Sequence, residues 1–341
     1  MDSTELTAAC RKDLEVELRA CVGDGPSPLF DIVRYHLGWL DERGCSVGLP
    51  GGKMLRPVLC LLSCHGVGGD YRGALPAAAA IEMVHNFSLI HDDIQDRSPQ
   101  RRHRPTVWSL WGDAQAINAG DGLHVLAHLA LVRLLGRGFP PGTTLATLRE
   151  LDRASLELCE GQYLDISFEQ EARVSLQAYL MMIGKKTAAL FAASTRIGAI
   201  LGAGAGDTVE GMGRFGEEIG LSFQIQDDIL GIWGIEKETG KPSLDDIRAK
   251  KKSLPIVHAM SSAQPHSLRI LDHAFGRGTV SDEKLSAVLD ILDGAGSRDY
   301  CEGIAREYWD RAWSRLDGLN LESTAEEALR QLASELVARA A

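Results

Sequence analysis

Between Met83 and Asp96 the chain reads MVHNFSLIHDDIQD. In a helix advancing about 100° per residue, positions 4, 7 and 11 apart return to nearly the same angle. His85, Ser88, Asp92 and Asp96 therefore share one face. Two aspartates one turn apart repel each other on a solvated helix. Here the approach to them is apolar, through Phe87, Leu89 and Ile90, which places the pair at a cleft. Paired carboxylates without sulfur or several imidazoles suit a hard cation, above all Mg²⁺, which keeps several waters and is completed by phosphate oxygens.

Cationic residues follow at once. Arg101, Arg102 and Arg104 lie in SPQRRHRPTVW, close behind the acidic pair. Guanidinium forks match phosphate oxygens, while carboxylates hold the same group from the other side through the metal. Upstream, GGKMLRP sets Lys53 and Arg56 three apart at a glycine-opened helix start, where backbone N–H groups and the helix dipole also favour an anion. The spacing is not that of a Walker loop. A second acidic pair, in QDDILG at 226–231, echoes the first at the end of another apolar helical run. Two such helices suit opposite walls of one cavity. Lys185 and Lys186 stand out within LQAYLMMIGKKTAALFAAS, a stretch apolar almost all round. A lysine there ordinarily snorkels to the surface.

The elements that must position these groups are helices. Helical periodicity dominates and no convincing run of alternating strand residues occurs. Helices are expected over about 4–21, 27–43, 51–66, 72–96, 119–136, 144–168, 173–202 and 207–232, then 245–261, 265–276, 282–292, 297–315 and 322–340. Gly and Pro clusters break them at 23–28, 48–52, 136–142 and 202–206, and none of these is long enough to link independent domains. One all-α domain spanning 1–341 is expected, with the most apolar helices at the centre of a large bundle. The net charge of −11 argues against duplex nucleic acid as a partner. Seven cysteines without regular spacing form no disulfide framework, and Cys60 and Cys64 read as core thiols of a reducing compartment. No apolar run is long enough to span a bilayer, and the acidic, amphipathic start is unlike a targeting peptide. A soluble, cytoplasmic protein is expected.

Taken together, GGKMLRP, EMVHNFSLIHDDIQD, RRHRPTVW, AGD at 119–121, GKKTAALF, FQIQDD and TGKPSLDDI closely resemble the trans-isoprenyl diphosphate synthases, in that family's order from about residue 51 to 254. The resemblance implies an isoprenoid synthase-type all-α bundle around a deep central cavity, generally homodimeric. It implies that Asp92 and Asp96 bind the Mg²⁺ ions bridging an allylic diphosphate, and that Asp227, with Asp228, holds another. Arg101, Lys186 and Lys241 match positions contacting the allylic diphosphate. Lys53, Arg56, His85 and Arg102 match the pocket for isopentenyl diphosphate. Thr187 and Gln224 match polar positions beside a forming carbocation.

The implied reaction is head-to-tail condensation. Ionisation of an allylic C–O bond puts charge on the leaving diphosphate, which fixed cations and metal stabilise. A dry cavity protects the carbocation from water. Two departures from the family pattern stand out. Gly231 replaces the third aspartate of the second acidic motif, and His103 stands where many members have glycine. In this family a bulky residue before the first acidic motif sets product length. Phe87, five before Asp92, followed by Ser88, looks like the pattern of archaeal-type geranylgeranyl diphosphate synthases, so a C20 product is expected and C15 is next. A class I terpene cyclase and a non-catalytic partner subunit are alternatives on the same bundle. The second diphosphate pocket argues against the cyclase, and the complete DDIQD argues against the subunit. His124 and His128, one turn apart beside Asp121, imitate a metal site, but no HExxH glutamate accompanies them.

Overall fold

The computed structural model describes residues 1–48, 52–234, 244–276 and 281–337. Its regular structure is almost entirely helical. The chain separates into two compact units. The first comprises Met1–Arg153, Ala193–Gly213 and Leu319–Leu332; the second comprises Ala154–Ala192, Arg214–Gly318 and Ala333–Ala341.

The first unit opens on α1 (Ser3–Val22). Its start is closed by a reciprocal capping box, in which the Glu5 amide donates to Asp2 Oδ1 at 2.8 Å and the Asp2 amide to Glu5 Oε2 at 3.1 Å. Leu6, Cys10, Leu14 and Leu18, four apart, form its buried stripe. Helix α2 (Pro28–His36) starts at a Ser27 cap with proline in its first turn. The helices α3 (Leu55–Gly66) and α4 (Leu75–Gln95) follow. Ala77 to Ala80 are wholly buried in α4, where small side chains allow close helix approach. Its most extensive partner is α5 (Val107–Gly136), kinked at Gly112 with φ 78°.

The helix expected from 119 thus starts earlier, just beyond the non-helical Gly112, and a further short helical stretch from Val107 precedes that break. Thr106 explains the start, as an extended residue immediately before the first helical turn. Between α4 and α5 lies the strand structure that alternation did not reveal, a two-residue pair β1 (Gln100–Arg101) and β2 (Arg104–Pro105). Elements this short carry no period.

Helix α6 (Pro141–Gln170) supplies its later residues to the second unit. There follow α7 (Leu176–Ile183), a π-helical turn at Gly184–Ala188, α8 (Ala189–Leu201) and α9 (Gly206–Trp233). The helix expected over 245–261 is two, α10 (Asp245–Arg248) and α11 (Leu254–Ser262). Lys250 has a left-handed φ of 57°, which stops the first, and Pro255 lies in the opening turn of the second. Then come α12 (Pro265–Phe275), α13 (Asp282–Gly294), α14 (Ser297–Asp317) and α15 (Ser323–Val337). Two apolar cores hold the second unit. One joins Tyr179, Ile183, Leu221, Ile225, Val257 and Cys301, and the other joins Ile232, Ile256, Leu271, Val288 and Leu292.

Candidate active site

The last turn of α4 carries Asp92 and Asp93, and Asp96 caps it. The Asp96 amide donates to the Asp92 carbonyl at 2.8 Å, so these two residues stack one turn apart. Asp92 is half-buried and Asp96 exposed. Asp93 points elsewhere and is only 2% exposed. Arg101 Nε donates to both its oxygens at 2.9 and 3.0 Å, and Arg101 lies 3.8 Å from Asp92. Burial pushes the Asp93 carboxyl up, and the Arg101 bonds oppose that shift. Asp93 thus aims Arg101 at the acidic face, a role that motif reading did not assign.

Arg102 and His103 form the two-residue turn between β1 and β2, with φ of 52° and 60°. Both values are left-handed, as the tight hairpin turn whose twist matches its strands requires. His103 therefore occupies a position whose backbone favours glycine. Arg104 is committed to the scaffold, donating to the carbonyls of Tyr35 and Leu40 at 3.0 and 2.8 Å and lying over the Tyr35 ring. Arg102 reaches back to the GGK segment. A Cβ on Gly52 would lie 2.5 Å from its guanidinium, so only glycine admits this approach.

A cationic cluster results. Lys53 is exposed in the segment before α3, which begins at Leu55 rather than 51, and Arg56 stands in its first turn. Burial lowers Arg56 to about 10, opposed by buried Glu82. His85 is held well below the ordinary imidazole range by burial and then by Arg56, Arg102 and Arg101. Asn86 Nδ2 donates to both the carbonyl and Oε1 of Glu82 at 2.8 Å. Beside this cluster, Tyr35, His36, Asp93, Arg101, Arg102 and His103 line a cavity of about 400 Å³.

Phe87 and Ser88 lie on the same helix. Phe87 is buried with its ring 4.8 Å from that of His124, and Ser88 turns its hydroxyl to the His85 carbonyl at 2.7 Å. Of the paired histidines, the ring of His128 is held by hydrogen bonds, while His124 Nε2 is buried without a partner. His128 contacts the His124 carbonyl at 2.8 Å and Asp152 at 2.7 Å. Cys60 and Cys64 are buried, and burial raises both thiols.

The second unit gathers Lys186, Thr187, Gln224, Asp227 and Asp228. The π-helical turn widens the backbone at GKKTA, a distortion frequent at functional sites. A Cβ on Gly161 would lie 2.2 Å from the Lys186 amide nitrogen, so α6 packs directly on this backbone. Lys186 Nζ donates to Asp165 at 2.5 Å, and Thr187 donates to Gln224 Oε1 at 2.7 Å. Gln224 in turn donates to Asp228 Oδ1 at 3.1 Å. Asp228 is fully buried, accepting from the Tyr179 hydroxyl and, at 3.0 Å, from the Leu254 amide. Burial raises its pKa to about 6. Asp227 is exposed.

The missing third aspartate of this motif has a structural counterpart. A Cβ on Gly231 would lie 2.4 Å from Asp246 Oδ2, so a carboxylate from α10 fills the space that a side chain there would need. Lys251 is kept protonated by Asp246, Asp228, Asp227 and Asp165, whose charges outweigh its burial. Asp165 and Tyr179 were not singled out from sequence, because each lies far along the chain from the residue it supports, whereas Asp246 belongs to TGKPSLDDI and Lys251 to the lysines that follow it. Lys241 lies outside the described residues.

The oxygen-only Asp92–Asp96 face fits a Mg²⁺ ion taking one or two protein carboxylates and completing its shell from water and phosphate. Among the described residues no group of three or more His, Cys, Asp or Glu side chains is arranged to hold a metal alone. No described helix is long and apolar enough to cross a membrane.

An all-α fold that sets a carboxylate face beside an arginine cluster is suited to binding diphosphates. Comparison with known proteins gives the family. Residues 39–292 match the polyprenyl synthetase family. The (2E,6E)-farnesyl diphosphate synthase of Mycobacterium tuberculosis is 40% identical over 314 residues, 91% of this chain and 86% of that one. The geranylgeranyl diphosphate synthase of Saccharolobus solfataricus is 37% identical over 329 residues, 96% of this chain and 98% of that one. The crystal structure of a polyprenyl synthetase from Streptomyces coelicolor has a TM-score of 0.91 at 37% identity, covering 98% of this chain and all of that one. The chain belongs to the polyprenyl synthetase family and is a prenyltransferase of the isoprenoid synthase fold.

Proposed function

We propose that this prenyl diphosphate synthase is Mg²⁺-dependent and extends allylic diphosphates with isopentenyl diphosphate to a C20 product, geranylgeranyl diphosphate. The carrying observation is that one unit presents a carboxylate face and, apart from it, a cationic cluster gathered around Glu82. A condensing enzyme needs two diphosphate sites of different kinds, and a terpene cyclase has no use for the second.

Asp92 and Asp96 are assigned to Mg²⁺ in the first unit, and Asp227 to another Mg²⁺ in the second. When bound, Mg²⁺ neutralises charge on the departing diphosphate. Arg101, Lys186 and Lys241 are assigned to the allylic diphosphate, with Asp93 and Asp165 aiming the first two. Lys53, Arg56, His85 and Arg102 are assigned to isopentenyl diphosphate. Thr187 and Gln224 turn oxygen dipoles toward developing positive charge, and buried Asp228 orients Gln224 in place of ligating metal directly. The isopentenyl double bond attacks the allylic carbon, the C–O bond to diphosphate breaks, and the released diphosphate accepts the proton.

Phe87 is the proposed floor, supported by its bulk, its burial and its backing by His124. A homodimer is supported by Ile117, Val125, Leu129 and Val132, large apolar side chains that α5 leaves exposed. Purified protein given Mg²⁺, isopentenyl diphosphate and, separately, dimethylallyl, geranyl and farnesyl diphosphates should yield a linear C20 diphosphate by mass. A dominant C15 product would overturn the chain length. A cyclic hydrocarbon formed from an allylic diphosphate alone would overturn the synthase reading.

A further inference from the structure

His124 and His128, which imitate a metal site in the sequence, belong in the structure to the packing against Phe87. The α4–α5 pair shows how. His91 rests on α5, its Nε2 3.3 Å from the Ile117 carbonyl. A Cβ on Gly120 would lie 2.3 Å from the same nitrogen, so the glycine of the AGD segment makes room for this ring. One turn back on α4, the Phe87 ring meets His124, with centroids 4.8 Å apart and planes tilted by 43°. As α4 is followed back from the acidic face, its contacts thus move forward along α5. Phe87 lies about 7.5 Å from Asp92 along the axis of α4, and His128 lies about 6 Å beyond His124 along α5.

Phe87 is held by rings on two sides. His91 meets it in a T-shaped contact at 5.8 Å and 80°, and His124 backs it from α5. His124 is packed in turn by His128, T-shaped at 4.8 Å and 79°. These separations are ones at which aromatic rings attract each other. His128 is anchored at both ring nitrogens, Nδ1 on the His124 carbonyl at 2.8 Å and Nε2 on Asp152 of α6 at 2.7 Å. His124 Nε2, by contrast, is sealed from solvent without a hydrogen-bond partner, so what this atom adds is packing. A line of side chains runs from Phe87 through His124 and His128 to Asp152, all within the first unit.

A side chain that stops a growing product must resist being pushed aside. A lone phenylalanine escapes by a rotamer change wherever space lies behind it. Here that space is filled by a ring whose own position is locked by its neighbours, the condition under which a site keeps its shape. We infer that His124 is a specificity-determining residue for product length, a positioning residue that holds Phe87 across the path of the chain, with His128 and Asp152 fixing it in turn. The inference rests on Phe87 as the floor. Its signature falls on the elongation step that passes C20.

The test compares geranylgeranyl with geranyl diphosphate as allylic substrate, using the purified full-length enzyme with Mg²⁺ and isopentenyl diphosphate. The ratio of the two rates cancels any general loss of activity. In His124→Ala, with Phe87 intact, the surroundings relax only partly into the space left by the imidazole. The ratio should rise about tenfold, with a C25 diphosphate appearing by mass. His124→Phe restores a ring and gives up no bond at Nε2, so it should keep the wild-type ratio. Asp152 is exposed, and substitution there opens no cavity. Asp152→Ala should raise the ratio about threefold, while Asp152→Asn, which keeps an acceptor oxygen for His128, should leave it unmoved. That pair stands even where His124→Ala fails to fold. If Phe87→Ala lengthens the product while His124→Ala and Asp152→Ala keep the wild-type ratio, the inference falls and Phe87 remains the floor. An equal rise in His124→Phe also overturns it, because the packed ring would then not be what matters. If Phe87→Ala gives no longer product, the floor and the inference fall together.

Discussion

The two units gather their charged side chains in opposite ways. In the first, cations outnumber their counter-charges. Arg101 is fixed by Asp93, while Arg56 and Arg102 share one buried glutamate, Glu82. In the second, lysines sit among carboxylates. Lys186 meets Asp165, Lys185 meets Glu160, and Lys251 is surrounded by Asp246, Asp228, Asp227 and Asp165. A cation-rich pocket can take an anion directly. A carboxylate-rich one needs metal to make an anion welcome.

The largest expected effect removes the metal-competent face. Asp92→Ala should lower kcat by roughly 10³-fold, while binding of isopentenyl diphosphate without metal stays within twofold. Loss of that binding in a folded variant would mean that the two functions are not separable. Next is Gly161→Ala, which drives a methyl group into the Lys186 backbone. Overpacking of this kind costs about 3 kcal/mol, read as a lower midpoint in denaturant. An unchanged midpoint would show that the π-helical turn is not held by that contact.

Tyr179→Phe takes one donor from Asp228 and should cost about 1–2 kcal/mol, with a parallel loss of kcat as Gln224 loosens. Normal stability and rate would break the proposed chain from Tyr179 to Thr187. The smallest effect has the opposite sign. His103→Gly should relieve left-handed strain and stabilise by about 0.5 kcal/mol, because the strain outweighs the extra freedom of the unfolded chain. A destabilised variant would mean that the His103 side chain holds the hairpin.

This contrast also explains what sequence reading could reach. The face at Asp92 and Asp96 was legible because helical spacing alone stacks residues four apart. The family resemblance supplied Arg101, Arg102, Lys186 and Gln224. Asp93 escaped notice because an aspartate beside Asp92 looks like part of the same acidic face until its burial is seen. Asp228 is the converse, a motif residue that the fold turns inward onto Tyr179 and Leu254. Gly231 reads as a lost carboxylate in sequence, yet in space Asp246 from fifteen residues onward stands against it. The helix start at Val107 was hidden for a related reason, since a hairpin of two-residue strands has no period and its turn lacks the expected glycine.

The most direct test of the account is binding of each substrate alone with and without Mg²⁺, using an unreactive allylic thiolodiphosphate as the first ligand and isopentenyl diphosphate as the second. The account predicts that the allylic analogue needs the metal and isopentenyl diphosphate does not. Equal metal dependence for both, or tight metal-free binding of the allylic analogue, would contradict it.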